Sequence, residues 1–137
     1  MRSTDSALDV GRGIGGTSRF LAPTTLAPAT GIDLTPEFVD SAIQLSKLVG
    51  MEDCVNFQQG SATEIPFEKN VFDIVTMLHV GMNVEDKLFM MTELERVRKP
   101  AGKIMIYGVT LTGIETINYP MPWATTEEFS FPEPASK

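Results

Sequence analysis

Ser6-Ala-Leu-Asp-Val-Gly-Arg-Gly-Ile-Gly-Gly16 places one carboxylate and four glycines where an apolar strand turns into a helix. Leu8 and Val10 belong to the strand, and Gly11, Gly13 and Gly15 permit a tight turn with close backbone approach to a ligand. Gly16-Thr-Ser-Arg-Phe-Leu21 then begins a helix whose free N–H groups face that ligand. A nucleoside-bearing cofactor suits such a turn. Gly11-x-Gly13-x-x-Gly16 equally satisfies the dinucleotide fingerprint, and glycine-rich turns also occur without any ligand, so the stretch alone leaves three readings open.

Along the rest of the chain, apolar runs alternate in period and predict a βαβ series. The first strand is expected near Ala7 to Val10, with a short helix near Gly15 to Leu21. Ala22-Pro-Thr-Thr-Leu-Ala-Pro-Ala-Thr30 carries two prolines and predicts an irregular approach to a second strand that ends in Thr30-Gly-Ile-Asp-Leu34. Thr35-Pro36-Glu37 supplies an N-cap, a first-position proline and an early acid for a second helix. Its stripe is read as Phe38, Ala42, Leu45 and Val49, flanked by Val39 and Ile43, with Gly50 as its stop. Cys54 to Gln58 is a third strand, and Val71 to Leu78 a fourth, apolar enough to be covered on both faces. Asn83 and Asp86 resemble a capping pair for a third helix reaching about Arg98, burying Leu88, Met91, Leu94 and Val97. Lys99-Pro-Ala-Gly102 stops it, Lys103 to Gly108 is a fifth strand, and Thr112 to Lys137 predicts no helix.

At 137 residues and 42% hydrophobic content the chain supports one core. A net charge of -7 with scattered Lys and Arg argues against a nucleic-acid partner. No apolar run reaches membrane-spanning length and Met1 to Ser6 has no apolar signal region, so a cytoplasmic, non-membrane protein is expected. The single cysteine, Cys54, has no internal disulfide partner and no companion for a metal cluster; it reads as a small core residue.

Five segments in order resemble the class I S-adenosylmethionine-dependent methyltransferases. Leu8-Asp-Val-Gly-Arg-Gly-Ile-Gly15 looks like that family's first motif, and Gly31-Ile-Asp-Leu34 like the acidic end of its second strand. Gly60-Ser-Ala-Thr-Glu-Ile-Pro-Phe67 is similar to its adenine-contacting loop, Phe72-Asp-Ile-Val75 to its fourth strand, and Arg96-Val-Arg-Lys-Pro-Ala-Gly102 to its turn before the fifth. The resemblance covers about residues 6 to 108 and is nearest to small-molecule methyltransferases of quinone biosynthesis and of sarcosine or dimethylglycine methylation. Tyr119-Pro-Met-Pro-Trp-Ala124 and Phe129-Ser-Phe131 look like a substrate-side segment of such enzymes.

The resemblance implies a Rossmann-like doubly wound α/β fold of about five parallel strands in order 3-2-1-4-5. Residues 1–110 would form the S-adenosylmethionine-binding core and 111–137 an irregular tail at the substrate side or an interface. Gly11, Gly13 and Gly15 would let backbone meet the cofactor's methionine part, with Asp9 ordering the turn or reaching its amino group. Asp33 would accept both ribose hydroxyls, its bland alternative being a cap of the following helix. Leu34 would pack on the adenine face, or serve as core, and Ser61 and Ala62 would sit at the adenine edge. Leu78, ending the fourth strand, joins the cofactor set. Arg12 joins it too, as a clamp for an acidic group, with solvent exposure the blander fate.

His79 follows the fourth strand and could take a proton from an amine or hydroxyl acceptor, or stand as a hydrogen-bonded wall residue. Glu93, Glu95, Arg96 and Lys99 read as a solvated helix face. Relatives usually carry lid helices before the first motif and two strands after the fifth. Their lack here implies a fragment of a longer reading frame or a homodimer that buries the sheet edge. The competing readings are a non-catalytic cofactor-binding module and an NAD-dependent oxidoreductase.

Overall fold

The computed structural model describes residues 5–24, 28–111, 116–122 and 124–132. Part of the proline-rich approach to the second strand (25–27) and Trp123 lie outside them, as do the first and last residues of the chain. The elements are β1 (Ala7–Val10), α1 (Gly16–Leu21), β2 (Ala29–Asp33), α2 (Pro36–Leu48), β3 (Val55–Gln59), β4 (Phe72–Leu78), α3 (Lys87–Val97) and β5 (Arg98–Tyr107). All strand pairs are parallel, in the order β3-β2-β1-β4-β5. The expected doubly wound sheet is what the chain forms.

Side-chain alternation along each strand divides the core into two layers. Leu8, Val10, Ile32, Phe72, Val75 and Met77 face Met90, Leu94 and Val97 of α3, while Ala7, Ala29 and Val55 pack with Leu21 of α1 on the opposite face. β1 is buried along its whole length, as a central parallel strand covered on both sides must be. The strand order reverses between β1 and β4, so the carboxyl ends of β1, β2 and β4 surround one crevice.

Each long helix buries part of its expected face, Ala42 in α2 and Leu94 and Val97 in α3, and exposes the rest. α2 buries Val39, Ala42 and Ser46, leaving Phe38 and Val49 exposed. α3 buries Met90, Leu94 and Val97 and exposes Leu88 and Met91. In α2 the expected stripe ignored Ser46, whose hydroxyl is buried and donates to the Ala42 carbonyl (2.8 Å). α3 is capped by Asp86, which accepts the Phe89 N–H (2.9 Å); Asn83 instead ends the 3-10 turn Gly81–Asn83. Cys54 is exposed, since it sits in the turn just before β3.

Of the charges expected on a solvated face of α3, Glu95 stays exposed with a local i,i+3 partner, whereas the others are tied to more distant parts of the fold. Glu95 pairs with Arg98, and Lys99 reaches Asp73 (2.8 Å), whose carboxylate also accepts from the backbone N–H and hydroxyl of Ser6. The Lys99 ammonium and the Ser6 backbone hold Asp73 down at a pKa of about 2. Beyond β5 the tail makes a bridge between Met121 and Ala124 and a 3-10 turn over Glu127–Phe129. It returns to the domain where the Phe131 N–H donates to Met82 O (2.6 Å) and Lys87 Nζ donates to Phe131 O (2.7 Å).

Candidate functional site

A cavity of about 1080 Å³ opens at the carboxyl ends of β1, β2 and β4. Ligand sites usually hold about 300–1,000 Å³, so this one has room for a nucleoside cofactor beside a second small molecule. Its lining includes Val10, Gly11, Gly13, Asp33, Leu34 and the loop Gly60–Thr63, together with His79, Val80 and the segment from Asn83 to Lys87. Gly11, Gly13, Asp33, Leu34, Ser61, Ala62 and His79 are thus brought together, as their positions in the sequence imply.

The glycine loop is held down by the end of β2. Gly11 N–H donates to Ile32 O (2.8 Å), and Gly13 N–H donates to the Asp33 carboxylate (Oδ2, 2.8 Å). The other oxygen of Asp33 accepts the Thr35 N–H (2.9 Å) at the start of α2. The helix cap considered for Asp33 is therefore real as geometry, but it uses one lone pair of one oxygen. A carboxylate offers about four acceptor positions, so Asp33 can brace two loops and still receive two hydroxyls from the cavity. Leu34 is 68% exposed and Phe38 46%, which rules out a core role for Leu34 and leaves both as apolar surface beside Asp33.

Asp9, Arg12, Gly15 and Leu78 do not line this cavity. Asp9 is 1% exposed, on the α1 face of the sheet, and accepts from Ser18 Oγ (3.1 Å) and Thr76 Oγ1 (3.0 Å). It fastens α1 beneath the glycine loop. Burial outweighs those hydrogen bonds and pushes its pKa up to about 6. Leu78 shares the sheet face of Ile74 and Thr76 by alternation, and the cavity wall begins one residue later. Gly15 is buried against Phe57, whose Cζ would lie 2.8 Å from an added Cβ.

Arg12 departs furthest from expectation. Its side chain folds under the loop, across Gly31, and stacks 4.1 Å over the Phe57 ring. Nη1 donates to the Gly13 carbonyl, whereas Nε and Nη2 are buried with no hydrogen-bond partner among the described residues. Burial lowers its pKa, and the Asp33 and Asp9 carboxylates oppose that shift. Gly31 makes the position possible, because a Cβ there would lie 2.0 Å from Arg12 Cδ.

His79 adopts a left-handed backbone (φ 57) as β4 ends, and its N–H donates to Tyr107 O (2.6 Å). Its ring meets Tyr107 edge to face at 4.9 Å. A non-glycine residue in that conformation stores roughly 1–2 kcal/mol, a cost often found at functional sites. Val80, Val84 and Lys87 also line the cavity and carry no motif, while Asn83, expected as a cap, and Phe38, expected as core, line it too. Among the described residues no group of three or more His, Cys, Asp or Glu side chains could hold a metal ion, and no helix is long and apolar enough to cross a membrane.

The buried Asp9 predicts a pH dependence. Its folded pKa of about 6 lies above the ordinary 3.8, so the folded state binds more protons across that interval. Stability from this group is greatest below pH 4 and falls as pH rises to about 6, by roughly 3 kcal/mol. Asp9→Asn should flatten that slope while keeping a hydrogen bond to Ser18 or Thr76. Urea unfolding of both proteins from pH 4 to 7.5 measures it, and an unchanged slope in the variant would assign the proton elsewhere.

Residues 8–106 match the methyltransferase domain family. The chain belongs to that family. It is 41% identical over 101 residues to the "Probable tocopherol O-methyltransferase, chloroplastic" of Oryza sativa subsp. japonica, covering 74% of this chain and 28% of the rice protein. It is 35% identical over 103 residues to the erythromycin 3''-O-methyltransferase of Saccharopolyspora erythraea, covering 74% of this chain and 34% of that protein. The solved [4+2]-cyclase SpnF superposes with a TM-score of 0.83 at 21% identity, over 99% of this chain and 48% of that one. The chain spans less than half the length of each of these proteins. The methyltransferase domain expected from the five motifs is thus borne out, together with its Rossmann-like fold.

Proposed function

We propose that this domain binds S-adenosylmethionine in the cavity and transfers its methyl group to a small-molecule acceptor. The observation that carries the reading is Asp33, a cavity-lining carboxylate fixed by the Gly13 and Thr35 amides and presented beside the exposed apolar surface of Leu34 and Phe38. Such a group suits vicinal ribose hydroxyls, and Leu34 suits the face of a purine. Gly11 and Gly13 offer backbone to the amino-acid end of the cofactor, and Ser61 and Ala62 line the wall suited to the edge of the base.

When bound, S-adenosylmethionine supplies a methyl group already activated by the sulfonium. The protein's task is then to align the acceptor and receive its proton. We read His79 as the group that takes that proton, since it lines the same cavity as Gly11, Gly13 and Asp33. Tocopherol and erythromycin, named for the relatives, define the chemical range of acceptors to try first.

The dinucleotide alternative fares worse on the loop's own geometry. Its third glycine should serve close packing of helix on strand. Gly16 has open space around an added Cβ and a backbone φ outside the left-handed range, while Gly15 makes the close contact. Calorimetric titration with S-adenosylmethionine, S-adenosylhomocysteine and NAD tests the choice. Saturable binding of the first two is expected, with none of NAD. NAD binding alone would defeat the reading, and cofactor binding without methyl transfer would favour a non-catalytic module.

We also read the outer edge of β5 as a homodimer contact. Met105, Ile106 and Tyr107 are 52%, 43% and 62% exposed, and no strand among the described residues pairs with that edge. Sedimentation should give a dimer; a monomer at high protein concentration counts against it. A reducing compartment such as the cytoplasm accords with the exposed, unpaired Cys54.

A further inference from the structure

The cavity wall Gly60–Thr63 rests on a clamp that lies outside the cavity. Gly60 N–H donates to Asp33 O (2.9 Å), and an added Cβ on Gly60 would sit 2.9 Å from Pro66 Cδ, so Pro66 packs directly on Gly60. The backbone on both sides of Pro66 is gripped by one ion pair of α3. Arg96 donates through Nη1 to Phe67 O (2.6 Å) and through Nη2 to Ile65 O (2.9 Å), and Glu93 Oε2 accepts the Ile65 N–H (2.8 Å). The pair closes on itself, with Arg96 Nε on Glu93 Oε1 (2.7 Å) and Nη2 on Glu93 Oε2 (2.7 Å).

Two carbonyls and one N–H of the loop therefore end on a single planar fork and its carboxylate. A guanidinium can serve them together because its donors are held in one plane, and a lysine cannot reproduce that geometry. The Glu93 side chain is 13% exposed and that of Arg96 35%, so water competes only in part for these bonds. Within Gly60–Thr63 itself the described side-chain bonds are short-range, between Ser61 Oγ and Thr63 Oγ1 or the Thr63 N–H. They shape the loop's tip without anchoring it to the domain.

We propose that Glu93 and Arg96 are positioning residues that set where Gly60–Thr63 meets the base of the cofactor, and so determine selectivity for adenine. The proposal rests on the reading that the cavity holds S-adenosylmethionine. A clamp with a purely structural role would change thermal stability and weaken all ligands alike. A positioning clamp acts on the contact with the purine 6-substituent, which a displaced loop no longer reaches.

The full chain and its Arg96→Met, Arg96→Lys and Glu93→Gln variants are titrated with S-adenosylhomocysteine and with S-inosylhomocysteine, in which the 6-amino group is replaced by oxygen. Titrations are run below the melting temperature of every variant. Wild type should prefer the adenine ligand. Arg96→Met should weaken it about tenfold while changing the inosine ligand less than threefold, and Arg96→Lys should not restore the preference. Glu93→Gln retains one acceptor and should fall between; it and Arg96→Lys carry the measurement if Arg96→Met does not fold. An unchanged preference, or a parallel loss for both ligands, overturns the proposal alone. Wild-type protein that binds neither ligand removes the cofactor reading and this proposal with it.

Discussion

Asp33→Ala should weaken S-adenosylhomocysteine binding by about 100-fold or more. Two hydrogen bonds from ribose hydroxyls to a carboxylate are each worth about 1.5–3 kcal/mol, and each 1.4 kcal/mol is tenfold in affinity. Part of the loss would come through the loop, because the same carboxylate holds the Gly13 and Thr35 amides. The 2′-deoxy form of the ligand separates the two contributions. Wild type should discriminate against it, whereas Asp33→Ala should bind both forms equally weakly. Asp33→Asn should also bind poorly, since an amide nitrogen facing either backbone N–H repels it. An Asp33→Ala protein within threefold of wild type would place the ribose elsewhere.

Gly11→Ala should be the most damaging single methyl in the glycine loop. Its φ of +69 is left-handed, which costs an alanine roughly 1 kcal/mol. The new Cβ would also lie 2.4 Å, 2.6 Å and 2.9 Å from Cγ2, Cγ1 and Cβ of Val80. Rotating Val80 cannot clear its own Cβ, so the loop or the cavity wall must move. A loss of about 2–4 kcal/mol in unfolding free energy is expected, the range of overpacking added to backbone strain. Gly11→Ala with Val80→Ala should recover the part due to the two Cγ atoms and keep both the 2.9 Å Cβ contact and the backbone part. Gly13→Ala is the internal control: its φ of +55 is strained too, but nothing lies within 4 Å, so about 1 kcal/mol is expected. Chemical denaturation of the four proteins reads all of this, and equal stability of Gly11→Ala and wild type would refute the contact.

These positions show how unevenly the site can be read from the chain. Gly11, Gly13, Asp33 and Ser61 are local signals, set by a turn or a strand end, and all reach the cavity. Arg12 occupies the same loop and was expected to face an acidic group or solvent. Its true place depends on Gly31, nineteen residues on, having no side chain, and on the Phe57 ring beyond it. Glu93 and Arg96 look like an ordinary i,i+3 surface pair until the loop around Pro66 folds onto them. Long-range hydrogen bonds leave no period in a sequence.

Helix faces went astray for a related reason. Hydrophobicity alone favours Phe38 and Leu88 as buried positions, yet what a helix buries is fixed by the sheet beneath it. In α3 the sheet covers Met90 rather than Leu88 and Met91, and in α2 the buried Ser46 hydroxyl finds a carbonyl within its own helix.

Strand apolarity, glycine turns and proline stops act over a few residues, so the alternation of strands and helices and the carboxyl ends of the strands are legible in the chain, and five ordered motifs carry the family; β5 instead begins at Arg98, ahead of the expected Lys103, because Arg98 pairs with Phe72 across the sheet. Only the folded sheet shows that Phe38, Val80 and Lys87 join the cavity, that Arg12 is buried, that Asp9 lies behind the loop and that Asp33 braces it. Those outcomes depend on contacts between β1, β2, β3 and β4, and such contacts exist only after the sheet has formed.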